Sequence, residues 1–429
     1  MIVANLNRPT RHKILIVSSM APPSPMSGAR RIAGLTKFLA LSGYEVTVLT
    51  SLISGSGSIE GATRTLRTRD LMAGALNWRQ NNLVALSGEG AATYDASPSA
   101  ISAISVPDIG TLTWVPFAIR AAKSLILDEG IDCVITISPP HSTHLVGLAL
   151  SGSGVPWIAD LQDGWCFEDM RPALKTHALR KADAMLERLT ARRADAVTAV
   201  TAPIAEDLAS RLGTRTSLIT NGYDPLESET VEPRLASGLL DRKRVSLVYT
   251  GRIAAGKLDL SWLTAGVDIA LKNDPGIAQR LEIVFAGSLT EAEIQEIELR
   301  RSILRHVGHL DRATVLALQR SADALLLLIG NDRPSVATGK LYEYLAAERP
   351  IFVIGRGNVA AGIVDQVGAG LAVSVDANAV AEGLEFVSTG EFAISPDVVA
   401  ASAYSYDAIA SNMAVEIERA INSKPRRHS

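Results

Sequence analysis

Short apolar runs alternate with helix-length amphipathic segments along most of this chain of 429 residues. The runs predict strands at Ile14–Ser18, Glu45–Leu49, Ile104–Val106, Asp132–Ile137, Trp157–Asp160, Ala196–Val200 and Ser217–Thr220. Helical spacing predicts helices at Ala29–Leu41, Phe117–Asp128, Ser142–Ser151, Leu174–Arg193 and Ile204–Arg211. A polar, proline-bearing stretch, Asp224–Lys243, interrupts the pattern, and the alternation then restarts. Strands are expected at Ser246–Thr250, Glu282–Ala286, Ile303–His306, Ala324–Ile329, Ile351–Ile354 and Leu371–Val375. Helices are expected near Leu260–Lys272, Glu291–Leu299, Arg312–Arg320, Gly339–Ala346, Ala360–Val367 and Ala377–Phe386. Continuous apolar strands interleaved with helices imply parallel sheets covered on both faces. The restart predicts two doubly wound α/β domains joined by a linker. A hydrophobic fraction of 47% suffices for two buried sheets. Open parallel sheets bind ligands at the carboxyl ends of their strands, so the expected site is a cleft where the two domains face each other.

One region resists this reading. Ser51–Ser102 is rich in Gly, Ser, Ala and Thr with weak periodicity, and reads as a long loop or a pair of mobile helices at a cleft edge. Other classes are excluded by simple counts. A net charge of −3 gives no basic field for nucleic acid. The two cysteines, Cys133 and Cys166, form neither a metal-type spacing nor a disulfide framework, which suits a reducing cytosol. No stretch approaches the roughly 18 apolar residues of a membrane span. No Gly-x-Gly-x-x-Gly follows the first strand, which argues against a dinucleotide oxidoreductase.

The segment from Gly251 to Pro350 carries the strongest chemical signal. Gly251-Arg252 ends a strand, and Lys257 follows on the same loop. A guanidinium binds phosphate in bidentate fashion and a lysine adds a second charge, although a solvated loop gives the same residues. Thr338-Gly339-Lys340 then opens a helix with Glu343 near its start. Thr338 is a good N-cap residue, and Gly339 lets backbone N–H groups approach an anion. An ordinary capped helix with an early glutamate is the alternative.

Gly251-Arg252…Lys257 with Gly339-Lys340…Glu343-Tyr344-Leu345-Ala346…Pro350 resembles the donor domain of glycosyltransferase family 4. The resemblance extends to Ser19–Pro23 with Gly28–Arg30, to Ser138–His141 and to Asp160–Trp165, and so covers most of the chain. It implies a GT-B fold of two Rossmann-like domains, a nucleoside diphosphate sugar donor, and transfer with retention of configuration. It assigns the donor diphosphate to Arg252 and Lys257 and the ribose to Glu343, with Gly28, Gly251, Ser335, Thr338, Gly339 and Lys340 lining the donor. The family's paired glutamate stands eight positions before the ribose glutamate, where this chain has Ser335. That departure leaves the donor sugar open.

On the acceptor side, Gly28 follows a Pro- and Ser-rich loop after the first strand, and in the resembling family that loop touches donor and acceptor. His141 and His144 stand after the strand Asp132–Ile137. A metal would need a third ligand that the sequence does not supply. His141 reads as a sugar or phosphate contact and His144 as a packed helix residue. Asp163, beyond Asp160, is placed to hold or deprotonate an acceptor hydroxyl, or to cap a turn. Trp165 would stack on a sugar or fill core. The absence of Asp-x-Asp favours metal-free chemistry, and no cofactor is expected.

The segment Arg171–Arg193 reads as a solvated basic helix face interrupted by Asp183 and Glu187, with peripheral membrane contact the alternative. The C-terminal segment Tyr404–Ile421 has helical spacing and precedes a basic tail, Lys424–His428. The expected organisation is an acceptor-binding domain at 1–228, a nucleotide-sugar-binding domain at 229–403, and a C-terminal helix and tail at 404–429 crossing back to the first domain. The reading is a cytoplasmic glycosyltransferase whose partners are a nucleoside diphosphate sugar and a glycan, glycolipid or small-molecule acceptor. The rivals are an epimerase or hydrolase of the same fold and an inactive nucleotide-binding subunit.

Overall fold

Along the inner strands apolar residues point to both faces of the sheet, and both faces are covered. In the computed structural model, Ile14 and Ile16 enter one core while Leu15 and Val17 enter another. The structure describes residues 12–24, 27–71, 106–168, 174, 176–253, 259–330, 334–392, 394 and 396–423. The chain divides into two units, Met1–Asn221 with Tyr406–Ser429, and Gly222–Ser405.

The first unit holds β1 (Lys13–Val17), β2 (Glu45–Ser51), β3 (Arg64–Thr68), β4 (Cys133–Ser138), β5 (Trp157–Leu161), β6 (Ala196–Ala199) and β7 (Thr216–Leu218). They form one parallel sheet in the order β3-β2-β1-β4-β5-β6-β7. Its helices include α1 (Ser27–Leu41), α2 (Val115–Glu129), α3 (His144–Leu150), α4 (His177–Arg193) and α5 (Ala202–Leu212). Helix α5 stops at Gly213, whose φ of 67° is the left-handed ending that glycine adopts without strain. The C-terminal helix, Tyr406–Ser423, packs on α1. A Cβ on Gly34 would lie 2.3 Å from the Tyr406 ring, so only glycine admits this contact.

The second unit holds β8 (Val245–Thr250), β9 (Leu281–Ala286), β10 (Leu304–His306), β11 (Ala324–Leu328), β12 (Ile351–Ile354) and β13 (Gly370–Val373). Its parallel order is β10-β9-β8-β11-β12-β13. Its helices include α6 (Ser261–Asn273), α7 (Glu291–Leu299), α8 (Arg312–Ser321), α9 (Gly339–Ala346), α10 (Val359–Gln366) and α11 (Ala377–Ser388). Helix α7 opens with a capping box, Thr290 and Glu293 each bonding the other's backbone N–H. Both sheets reverse their winding beside the first strand, between β1 and β4 and between β8 and β11. Crevices at such reversals are where doubly wound sheets bind ligands.

Two expectations change, and a third falls largely outside the described residues. Ser51–Ser102 is not all loop: β3 pairs with β2 from Thr47↔Arg64 to Ser51↔Thr68, while 72–102 lie outside the described residues. An arginine-bearing edge strand with few apolar residues hides this pairing from periodicity. The expected strand Ile104–Val106 falls on undescribed residues except Val106, which sits in a bend. Asp224–Lys243 is no free linker. It folds onto the second unit through Ala236 in the core, the Arg312–Glu227 pair at 2.9 Å and a bond from Asp241 N–H to the buried Glu282 at 2.6 Å.

Candidate functional site

In the second unit the residues gather at the reversal between β8 and β11. Thr250 ends β8, and Gly251 turns the chain with a φ of 105°. A Cβ there would come within 2.7 Å of Lys340 Cε. Lys340 reaches back from α9 to this turn. Its ammonium donates to Tyr249 Oη and, at 3.1 Å, to the Arg252 carbonyl, and lies 4.2 Å from the Tyr249 ring centre. Tyr344 Oη, buried and pushed up to about 12 by that burial, accepts the Thr250 N–H at 3.0 Å. A lysine and a tyrosine on α9 thus fix the end of β8. The Arg252 side chain is exposed and makes no ion pair or hydrogen bond among the described residues.

Glu343 is buried at the start of α9, 2.8 Å from Arg312 Nη1, and accepts from Gln319 Nε2 at 3.3 Å. Arg312 is itself held by Glu227. Gln319 also donates to Thr250 Oγ1 at 2.8 Å, so one amide joins the β8 end to Glu343. Gly287 and Gly308, after β9 and β10, complete the floor: Gly287 N–H bonds the Gly308 carbonyl, and a Cβ on Gly287 would lie 2.5 Å from the Gly251 carbonyl oxygen.

Thr338 occupies the N-cap position with extended backbone, but its side chain does not cap the helix, contrary to the expectation from its residue type. Its hydroxyl is buried with no hydrogen-bond partner among the described residues. A Cβ on Gly339 would meet nothing within 4 Å, so the chain's own packing does not demand glycine there. Ser335 is buried in the turn after β11. Lys257 lies outside the described residues.

In the first unit, the loops after β1, β4 and β5 converge. A Cβ on Gly28, in α1, would lie 3.5 Å from the Gln162 amide nitrogen, and Asp163 is the next residue, half-buried. His141 is 3% exposed and stacks on Trp165 with ring centres 4.9 Å apart. Trp165 is not an exposed sugar platform. It is buried against His141 and His144 and donates its indole N–H to Asp183 at 2.9 Å. Asp183 and Glu187 do not interrupt a solvated face. They point inward from α4, Glu187 accepting from the Cys166 N–H and pairing with Arg211 at 2.6 Å, while Arg180, Lys181, Arg188, Arg192 and Arg193 stay exposed. Arg171 and Lys175 are outside the described residues.

Asp160 is fully buried and committed to Arg31. The guanidinium donates to both carboxylate oxygens, at 2.7 and 2.8 Å, and Thr198 Oγ1 adds a third bond at 2.5 Å. Arg31 also donates to the Ile219 and Thr220 carbonyls, at 3.0 and 2.6 Å. Arg31, Arg312 and Gln319 escaped the sequence reading. Arg312 alone left a signal, because a cation in the first turn of a helix opposes the dipole and needs another reason to be there.

His144 is fully buried, with Nδ1 2.8 Å from Thr136 Oγ1, which accepts the Trp157 indole N–H at 2.7 Å. Burial keeps the imidazole neutral and lowers its pKa from 6.5 to about 4, against a weaker pull from Asp160. The unfolded chain therefore takes up this proton first. The resulting stability is fully present above pH 6.5 and is lost as pH falls toward 4, about 3 kcal/mol in all. Urea titrations of wild type and His144→Asn at pH 7 and pH 4.5 check this: the variant should lose less stability on acidification, and equal losses would contradict it.

Residues 28–222 match the family model of the glycosyl transferase 4-like domain. No curated protein sequence matches the chain. The fold is similar to that of sucrose-phosphate synthase from Thermosynechococcus elongatus, with 17% identity, 96% of this chain and 100% of that one covered, and a TM-score of 0.65. It is similar to the UDP-forming α,α-trehalose-phosphate synthase from Burkholderia vietnamiensis, at 12% identity, 96% and 99% coverage and a TM-score of 0.62. It is also similar to Anabaena HepE in complex with UDP and glucose, at 13% identity, 95% and 100% coverage and a TM-score of 0.60. At these identities the likeness to solved structures establishes the two-domain GT-B fold.

Proposed function

We propose that this chain, whose residues 28–222 match a glycosyl transferase 4-like domain, moves a sugar from a nucleoside diphosphate sugar to an acceptor hydroxyl with retention of configuration. The observation that carries this is the gathering of the Gly251-Arg252 turn, Lys340 and the opening of α9 at one strand end. The α9 N–H groups and the Arg252 guanidinium are the donors for the diphosphate. Lys257, assigned by the resemblance, adds a second cation. These charges neutralise the leaving diphosphate as the glycosidic bond breaks, with no metal required. Glu343, oriented by Arg312, accepts the ribose hydroxyls. Asp163 and His141 hold the acceptor hydroxyl. With Ser335 where a glutamate would meet the donor sugar, the sugar contacts fall to other groups.

Two structural neighbours are described as UDP-forming or UDP-bound, which puts UDP-sugars first. The test is release of nucleoside diphosphate from a panel of donors, with and without candidate acceptors. Release that depends on acceptor and yields a glycosylated product is expected. Equal release without acceptor would instead make the chain a hydrolase or epimerase.

A further inference from the structure

The edge strand β3 and helix α2 enclose a groove of about 420 Å³ whose lining is dominated by arginines: Arg64 and Arg67 from the strand, Arg69 just beyond it and Arg120 from the helix. Arg64 is neutralised by Glu129. The other three have no ion pair among the described residues. Arg67 spends its bonds on backbone carbonyls, that of Pro22 at 2.7 Å and that of Gly57, and its Nη1 is buried with no hydrogen-bond partner among the described residues. Arg69 and Arg120 are exposed and form no ion pair or hydrogen bond among the described residues. Among the described residues Asp128 is the one carboxylate in the lining, at the far end beside Ser124, whose hydroxyl it accepts at 2.6 Å. Three guanidinium groups gathered around an open groove with so little counter-charge suit a multiply charged anion, and their planar forks match phosphate. Phe117 adds an apolar wall.

The groove opens on the productive side of the sheet. Arg67 and Arg69 stand at the carboxyl end of β3, the same end as the loops after β1, β4 and β5, and two strand spacings, about 10 Å, from β1. Arg67 touches the β1 loop directly through Pro22. We propose that this groove binds the phosphate of a phosphate-bearing acceptor, with Arg69 and Arg120 as its binding residues. As an acceptor site it rests on the transferase reading.

The test is calorimetric titration of the full-length protein with glucose 6-phosphate, and with farnesyl phosphate in neutral detergent micelles. Glucose and farnesol are the uncharged controls. Wild type should bind at least one phosphate and neither control. Arg69→Ala and Arg120→Ala should each weaken binding about tenfold, the loss expected of one charge-assisted hydrogen bond, with unchanged melting temperature. Binding of the first probe identifies a soluble sugar phosphate and binding of the second a lipid phosphate. Failure of both probes, or equal affinity in the variants, overturns the proposal. Nucleoside diphosphate binding, measured on the same samples, separates the two readings. Nucleotide without phosphate binding sinks the groove alone, and phosphate without nucleotide binding removes its role as an acceptor site.

Discussion

Exchanging Asp160 for asparagine will destabilise the first unit by about 3–5 kcal/mol, because it leaves the Arg31 guanidinium buried without its counter-charge. Both side chains are 0% exposed. The desolvation cost of the pair is met only by the full set of bonds: from Arg31 two to Asp160, two to the Ile219 and Thr220 carbonyls and one to Asn221 Oδ1, with one more from Thr198 to Asp160. The pair ties α1 to β5, β6 and the residues just before the chain leaves this unit at Asn221. Arg31→Met should cost as much by stranding the carboxylate. The double variant Arg31→Met/Asp160→Leu should recover much of the loss, since replacing both charges removes the desolvation cost as well. Urea denaturation of the three variants checks this. Single variants within about 1 kcal/mol of wild type would show that the pair is dispensable.

Arg252→Ala is expected to do the reverse: leave stability within about 0.5 kcal/mol and lower kcat/KM for the donor by about 100-fold or more. The guanidinium is exposed and has no partner among the described residues, so the folded chain loses nothing with it. In the proposed mechanism the transition state loses a charge beside the leaving diphosphate. Arg252→Lys should restore part of the activity, because an ammonium supplies the charge but not the bidentate fork. Equal kcat/KM in Arg252→Ala and wild type would remove this residue from the mechanism.

The strands of both sheets were legible because their apolar runs are buried on both faces, as in the ALLLL run of β11. The exception is β3, RTLRT, whose alternation is broken by arginines that an edge strand tolerates. The site's backbone features were legible for a similar reason: Gly251 needs its positive φ and its close approach to Lys340. Side-chain commitments were not. Arg31 looks like any polar residue on an amphipathic helix, and only the fold brings Asp160, 129 positions away, against it. Asp183 and Glu187 look solvated until α4 turns them toward Trp165 and Cys166. Thr338 has the residue type of a cap, yet its hydroxyl stays unbonded, a matter of rotamer that composition does not encode.

The most direct measurement is a thermal-shift panel with UDP, GDP, ADP, dTDP and CDP on wild type, Arg252→Ala and Glu343→Gln. At about 100-fold excess over its dissociation constant a nucleotide should stabilise wild type by about 2.7 kcal/mol. One nucleotide is expected to shift wild type and to lose most of that shift in both variants. No shift with any of the five, or a shift that both variants retain in full, would contradict a donor site built on Arg252 and Glu343.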